Sequence, residues 1–163
     1  VEHKENPPDL TVNVTGFQFQ WQFTYCQNDL GEGTNAPAKA KDNQYQGPCT
    51  TEADEFSIIG TAKDEPTVVI PVDEPVEFRL TSNDVIHSFY VRDFLYKLDV
   101  IPGRDNKFTV TAREVGTFTG QCAELCGLNH GLMRFQIEVK TRADFDAWVA
   151  EKTAASESAA RVP

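Results

Sequence analysis

Apolar and polar residues alternate along much of this chain. Leu10, Val12 and Val14 occupy every second position, and Phe17, Phe19, Trp21, Phe23 and Tyr25 do the same against Gln18, Gln20, Gln22 and Thr24. Period two puts one set of side chains on one face of an extended segment, so the pattern predicts a strand at 10–14 and one long half-buried strand over 17–25. Further strands are expected at about 56–60, 67–72, 76–81 and 86–91, with Val76, Phe78 and Leu80 sharing a face. Pro66, Pro71, Pro75 and Pro102 punctuate them, as edges and turns require. Two more strands, 107–111 and 117–121, flank a turn at 113–116, and Met133, Phe135, Ile137 and Val139 alternate along the last one. The period changes after Thr141. There Thr141-x-x-Asp144 is a capping-box variant opening a short helix, with Phe145, Trp148 and Val149 on one side. The Ala, Ser and Glu-rich residues 153–163 predict a disordered tail.

Many short strands, one terminal helix and no repeat imply an all-β fold, an antiparallel sandwich or barrel closed by the helix. With 163 residues, 40% of them hydrophobic, the chain suits a single domain over 1–152 that carries an insertion at 27–55. The net charge of −10 argues against a nucleic-acid binder, which needs a basic face. It suits a basic partner protein, although solubility alone would also account for it. No run approaches the roughly 20 apolar residues of a spanning helix. The polar start, Val1-Glu-His-Lys, is no signal peptide and is expected of a mature or truncated chain with any membrane anchor left off.

The four cysteines divide into two pairs. Cys26 and Cys49 bracket the insertion, and a disulfide there would be worth roughly 3 kcal/mol of chain entropy. Such a bridge favours an oxidising compartment, the alternative being two free thiols flanking an insertion. The second pair lies in Cys122-Ala-Glu-Leu-Cys126-Gly-Leu-Asn-His130-Gly-Leu-Met133, which also holds the only methionine and one of three histidines. Spacings of four, four and three fit a zinc finger poorly and lack a redox C-x-x-C. Thiolate, imidazole and a weak thioether together argue for a copper electron-transfer site. His87, at the opening of a strand, is the plausible second imidazole, whereas His3 sits in a polar terminus and receives no role.

Asp84-Val-Ile-His87-Ser-Phe, Lys97-Leu-Asp99-Val-Ile-Pro102-Gly-Arg104 and the window from Gly120 to Met133 resemble cytochrome c oxidase subunit II, in the family order. Gly16-Phe-Gln-Phe-Gln-Trp21 resembles the family's aromatic strand. The resemblance implies a cupredoxin-like barrel on the outer, periplasmic-side face of a respiratory membrane, holding a binuclear copper centre, CuA. Carried over, Cys122 and Cys126 bridge two copper ions, His87 and His130 bind one each, Met133 is a weak axial ligand, and Glu124 offers its backbone carbonyl. The resemblance further implies a magnesium ion reached by the Glu124 side chain and shared with oxidase subunit I, with Asp99 and Arg104 on that docking side. It implies an electron-entry subunit of an oxidoreductase and translocase, passing electrons from cytochrome c to haem a while oxygen reduction belongs to subunit I.

Phe19 stands where the family usually has the tryptophan that receives electrons, and Trp21 matches the next family aromatic. Both are candidate entry residues. Phenylalanine is a poorer relay, so the expected donor is a tethered or complex-bound cytochrome c domain rather than a freely diffusing one. Two alternatives stand beside this reading. One is the CuA domain of nitrous oxide reductase, disfavoured because no propeller domain accompanies it. The other is a secreted β-sandwich binding module whose four cysteines form two disulfides.

Overall fold

The computed structural model describes residues 10–26, 55–61 and 63–160. Among them lie β1 (Leu10–Phe17), β2 (Gln20–Cys26), β3 (Glu55–Ile59), β4 (Thr67–Pro71), β5 (Pro75–Ser82), β6 (His87–Val91), β7 (Tyr96–Val100), β8 (Asn106–Thr111), β9 (Gly116–Cys122), β10 (Arg134–Lys140) and helix α1 (Arg142–Ala160). One sheet has the order β3-β2-β1-β5-β8 and the other β4-β10-β9-β6-β7. The all-β architecture with a C-terminal helix is the expected one. Each sheet also contains one parallel pair, β1 with β5 and β10 with β4, among otherwise antiparallel neighbours. The insertion expected at 27–55 lies outside what is described except for Glu55, which opens β3, and the expected Cys26–Cys49 bridge lies outside it as well.

The long strand expected over 17–25 is instead the second half of a hairpin. Chain direction reverses at Gln18–Phe19, with Phe17 opposite Gln20, Gly16 opposite Trp21 and Val14 opposite Phe23. The buried set accordingly switches from even positions (Val12, Val14) to odd ones (Trp21, Phe23, Tyr25). A two-residue turn produces that parity change, because residues directly opposite in an antiparallel pair share a face. Strand β7 has no counterpart in the sequence pattern. Its residues Tyr96–Val100 are mostly half-buried at a sheet edge, so the apolar alternation that marks the inner strands is weak there.

Side chains from the two sheets meet in an aromatic core. Phe135 lies 4.7 Å from Phe89 and 5.4 Å from both Trp21 and Phe23 between ring centroids, and Phe78 stacks on Phe108 at 5.3 Å. At one end of the sandwich, Tyr25 crosses between sheets. Its hydroxyl donates to the Val69 carbonyl and accepts from the Val69 N–H, both at 2.8 Å. Burial pushes this phenol far above its ordinary pKa, so it remains a neutral donor. Helix α1 closes the same end, placing Trp148 5.3 Å from Tyr25 and 5.6 Å from Phe56. Thr141 caps it, its hydroxyl accepting from the Asp144 N–H at 3.3 Å. The helix continues through Ala160, past the fraying expected from residue 153. Its Ala-rich composition has the highest helix propensity available, which a reading of the tail from composition alone undervalues. No helix among the described residues is long and apolar enough to cross a membrane.

Candidate metal centre

The other end of the sandwich is built from four chain segments. Strand β6 begins at His87 and β9 ends at Cys122, and the 123–133 loop returns the chain to β10. The β1–β2 turn lies against that loop. Pairing between β6 and β9, with Phe89 opposite Cys122, brings the first imidazole beside the first thiol. The loop is closed at its base by Cys122 N–H donating to Met133 O at 2.9 Å, and it is tied to β6 by Ala123 N–H donating to Ser88 O at 3.0 Å. Trp21 Nε1–H also donates to Met133 O, at 3.4 Å. The core strands thus hold both ends of the loop.

Five side-chain donors converge there. The ligand atoms of His87, Cys122 and Cys126 lie within 4.8 Å of one another, and all three residues are buried. Cys122 Sγ is 3.8 Å from Cys126 Sγ and 3.9 Å from His87 Nδ1. Cys126 Sγ is 3.6 Å from His130 Nδ1 and 3.8 Å from Met133 Sδ. The Glu124 carbonyl oxygen sits 3.2 Å from Cys122 Sγ. Met133, in phase with the buried face of β10, is wholly enclosed.

The shell behind these donors orients them. His87 Nε2 contacts Asp84 Oδ1 at 2.8 Å, which assigns the ring proton to Nε2 and leaves Nδ1 facing the sulfurs. Burial works against the charged imidazole, but hydrogen bonds with Cys122 and Asp84 outweigh it and raise the His87 pKa. Asp84 is also partly desolvated, yet the Gln18 N–H and His87 hold it below the ordinary carboxylate range. The two thiols titrate as a pair. Burial opposes ionisation of each, hydrogen bonding led by His87 lowers the Cys122 pKa, and burial plus the resulting charge raises that of Cys126. Gly16, opposite Trp21, allows the close approach of the His87 ring: a Cβ there would lie 3.1 Å from its Cδ2.

This donor set fits copper. A disulfide needs about 2.05 Å between sulfurs, and Cys122 and Cys126 are free thiols at 3.8 Å. That spacing removes one of the two disulfides on which a binding-module reading depends. Two thiols, two imidazoles and a thioether, largely shut off from water, are the soft and borderline ligands of a copper site.

The remaining candidates are more scattered. Trp21 is fully buried, its ring 6.0 Å from that of His87, while Phe19 is half-buried at the hairpin turn. Asp99, opposite Ser88 in the ladder, is held below the usual carboxylate range by a hydrogen bond from Ser88 and by Lys97 at 3.2 Å. Arg104 is exposed in the turn after β7, and the Glu124 side chain is exposed on the ligand loop. Sequence reasoning gives no site role to Asp84, Gln18 or Gly16. The parity change across 14–21 is the signal that would place the last two beside the site.

A family model described as cytochrome c oxidase subunit II, periplasmic domain, matches residues 10–140. The probable cytochrome c oxidase subunit 2 of Streptomyces avermitilis is 42% identical over 144 residues, which cover 81% of this chain and 45% of that protein. The chain spans about half the length of the curated relatives it matches. The crystal structure of the periplasmic domain of subunit II of cytochrome oxidase (CoxB) from Bradyrhizobium japonicum superposes with a TM-score of 0.70 at 29% identity, covering 93% of this chain and 99% of that one. A second solved structure is a mixed disulfide intermediate between a thioredoxin-like protein and subunit II of cytochrome c oxidase. It matches with a TM-score of 0.63 at 29% identity over 91% of this chain and 94% of that one.

Proposed function

The chain belongs to the periplasmic-domain family of cytochrome c oxidase subunit II, and from that premise we propose that it is the electron-entry domain of a haem–copper oxidase. On this reading it takes electrons from cytochrome c, or from a cytochrome c domain held in the same complex, and delivers them to haem a of subunit I. The work takes place on the extracytoplasmic face of a respiratory membrane. The observation that carries the reading is the convergence of Cys122, Cys126, His87, His130 and Met133, each contacting another donor at 3.6–3.9 Å.

Cys122, Cys126, His87, His130, Met133 and the Glu124 carbonyl would together hold a pair of copper ions, the thiols and imidazoles as the strong ligands and the thioether and carbonyl as the weak ones. When bound, such a pair supplies a one-electron carrier that shares each change of charge between two metals. The chain's own part is to keep rearrangement small. Main-chain hydrogen bonds to Met133 O and Ser88 O fix both ends of the loop, Asp84 fixes the His87 ring, and the aromatic core behind excludes water. A site meant to bind substrate would need an open position, and closed ligation suits electron transfer instead.

Leu125, Leu128 and Leu132 on the ligand loop are 79%, 96% and 71% exposed, and Val85 and Ile86 beside His87 also face solvent. Apolar side chains collected around a redox site are the mark of a docking surface, and the acidic charge of the chain suits a basic donor. Trp21, hydrogen-bonded to Met133 O, and Phe19, at the surface turn, are the entry candidates. The exposed Glu124 carboxylate, with Asp99 and Arg104, would meet subunit I and its shared magnesium ion.

Copper stoichiometry with electron paramagnetic resonance tests the proposal. The expected result is two coppers per chain sharing one unpaired electron. A folded chain that stays metal-free when offered both copper oxidation states, or one with Cys122 bonded to Cys126, would refute it.

A further inference from the structure

The ligand loop has a third anchor, between the two at its ends. Gln18 Nε2 donates to the Cys126 carbonyl at 2.6 Å, while the main-chain N–H of the same residue donates to Asp84 Oδ2 at 2.7 Å. The other oxygen of that carboxylate contacts His87 Nε2. One residue therefore touches the chain at Cys126 and, through a single carboxylate, at His87. The fit is close on both sides of the turn. Gly127 has φ +131°, and a Cβ there would lie 3.0 Å from Gln18 Nε2 and from the Phe19 ring. Only glycine adopts that backbone readily and admits the hairpin so near.

We propose that Gln18 is a positioning residue for the metal centre, holding the Cys126 half of the ligand set in register with the His87 half. The proposal rests on the copper reading above. Between Ala123 and Met133 the loop carries Cys126 and His130, and its middle is bordered by the exposed Leu125, Gly127 and Leu128. Packing holds that stretch chiefly through the buried Cys126, because the exposed side chains around it bury almost nothing on closing it down. A hydrogen bond to the Cys126 carbonyl fixes the peptide from which its Cα–Cβ bond projects, and hence where Sγ points. Gln18 acts on that carbonyl and not on a ligand atom, so it leaves the donor set itself unchanged.

The test uses the chain loaded with Cu(I) and Cu(II) salts. Gln18→Met keeps the side-chain length and removes the donor, and Gln18→Glu repeats the removal should Gln18→Met fail to fold. Either should release copper to a chelator about tenfold faster than wild type, the scale seen when ligand-orienting contacts are lost, and shift the visible absorption of the site. Gln18→Lys restores an N–H donor of sufficient reach and should bring release back towards the wild-type rate. In the metal-free chain, amide exchange at 126–127 should quicken in Gln18→Met while the melting temperature holds. Wild-type release rate and absorption in both Gln18→Met and Gln18→Glu would overturn the proposal, as would an effect explained wholly by a lower metal-free melting temperature. A wild-type chain that takes up no copper would remove the underlying reading and this proposal together, whereas loading without any Gln18 effect removes this proposal alone.

Discussion

At the helix end of the sandwich, Tyr25, Phe56 and Trp148 pack ring against ring, while at the ligand end the same β1–β2 hairpin contributes Gln18 and Phe19 to a surface of loops. Both ends enclose buried polar atoms. At the helix end these are satisfied within the fold, since the Tyr25 hydroxyl and Val69 exchange two hydrogen bonds. At the ligand end, the buried sulfurs, the buried His87 ring and the half-buried His130 ring face one another at 3.6–3.9 Å, too long for strong hydrogen bonds and suited to an ion between them. The first end is complete as a folded structure. The second is held from behind by main-chain contacts and completed by what it binds. The fold should therefore survive loss of the metal, and the metal site should survive modest damage at the helix end.

The largest expected effect comes from Cys126→Ser. A hydroxyl ionises far less readily than a thiol and is a hard ligand, so copper retention should fall by at least about a hundredfold. The metal-free melting temperature should change little, because Ser is close in size and the loop's end anchors at Ser88 and Met133 are untouched. Elemental analysis beside a thermal melt checks both halves. Should the variant unfold along with its loss of copper, the two ends are not independent and the contrast collapses.

Tyr25→Phe probes the opposite end. It removes one hydroxyl and leaves the Val69 N–H and C=O buried without that partner, a loss on the order of 1–3 kcal/mol. Ring packing on Phe56 and Trp148 is kept. Urea unfolding of the metal-free chain should show the loss, while copper absorption and stoichiometry stay as in wild type. A shifted copper spectrum would mean that strain passes along β2 from Tyr25 to Trp21, and the separation between ends would need redrawing.

Legibility in the sequence followed the same division. The inner strands could be read because each has one face in the core, so alternation alone located Val76–Leu80 and Met133–Val139. Cys122, Cys126, His130 and Met133 stood out because rare residue types crowd into twelve positions, and His87 only through its joint occurrence with that window. The hairpin turn could not be seen by residue type, since Gln18 and Phe19 are neither Gly, Asn nor Pro, and the regular alternation on either side hid a change of parity. Strand β7 escaped because Val100 is its one buried residue, so it shows no clear apolar alternation. Asp84 and Gln18 escaped for a different reason: their importance lies in what they touch, 66 and 108 residues apart between Gln18 and its two partners. The parity change across 14–21 could place Gln18 near the site, but no local pattern carries the contacts themselves.

The smallest effect on stability should come from Leu128→Ser, and it sharpens the contrast from outside. Leu128 is 96% exposed, so removing its side chain deletes almost no buried contact, and stability should stay within about 0.5 kcal/mol of wild type. Together with Leu125 and Leu132, Leu128 forms an exposed apolar patch on the ligand loop, and on the proposed reading a docking partner covers it. Reduction of the copper-loaded chain by a reduced cytochrome c, followed by stopped flow, should slow several-fold through weaker docking. Because contact here is apolar, that slowing should persist at high salt, whereas a rate governed by the acidic surface falls steeply as salt rises. Unchanged kinetics at every ionic strength would remove Leu128 from the donor-docking surface.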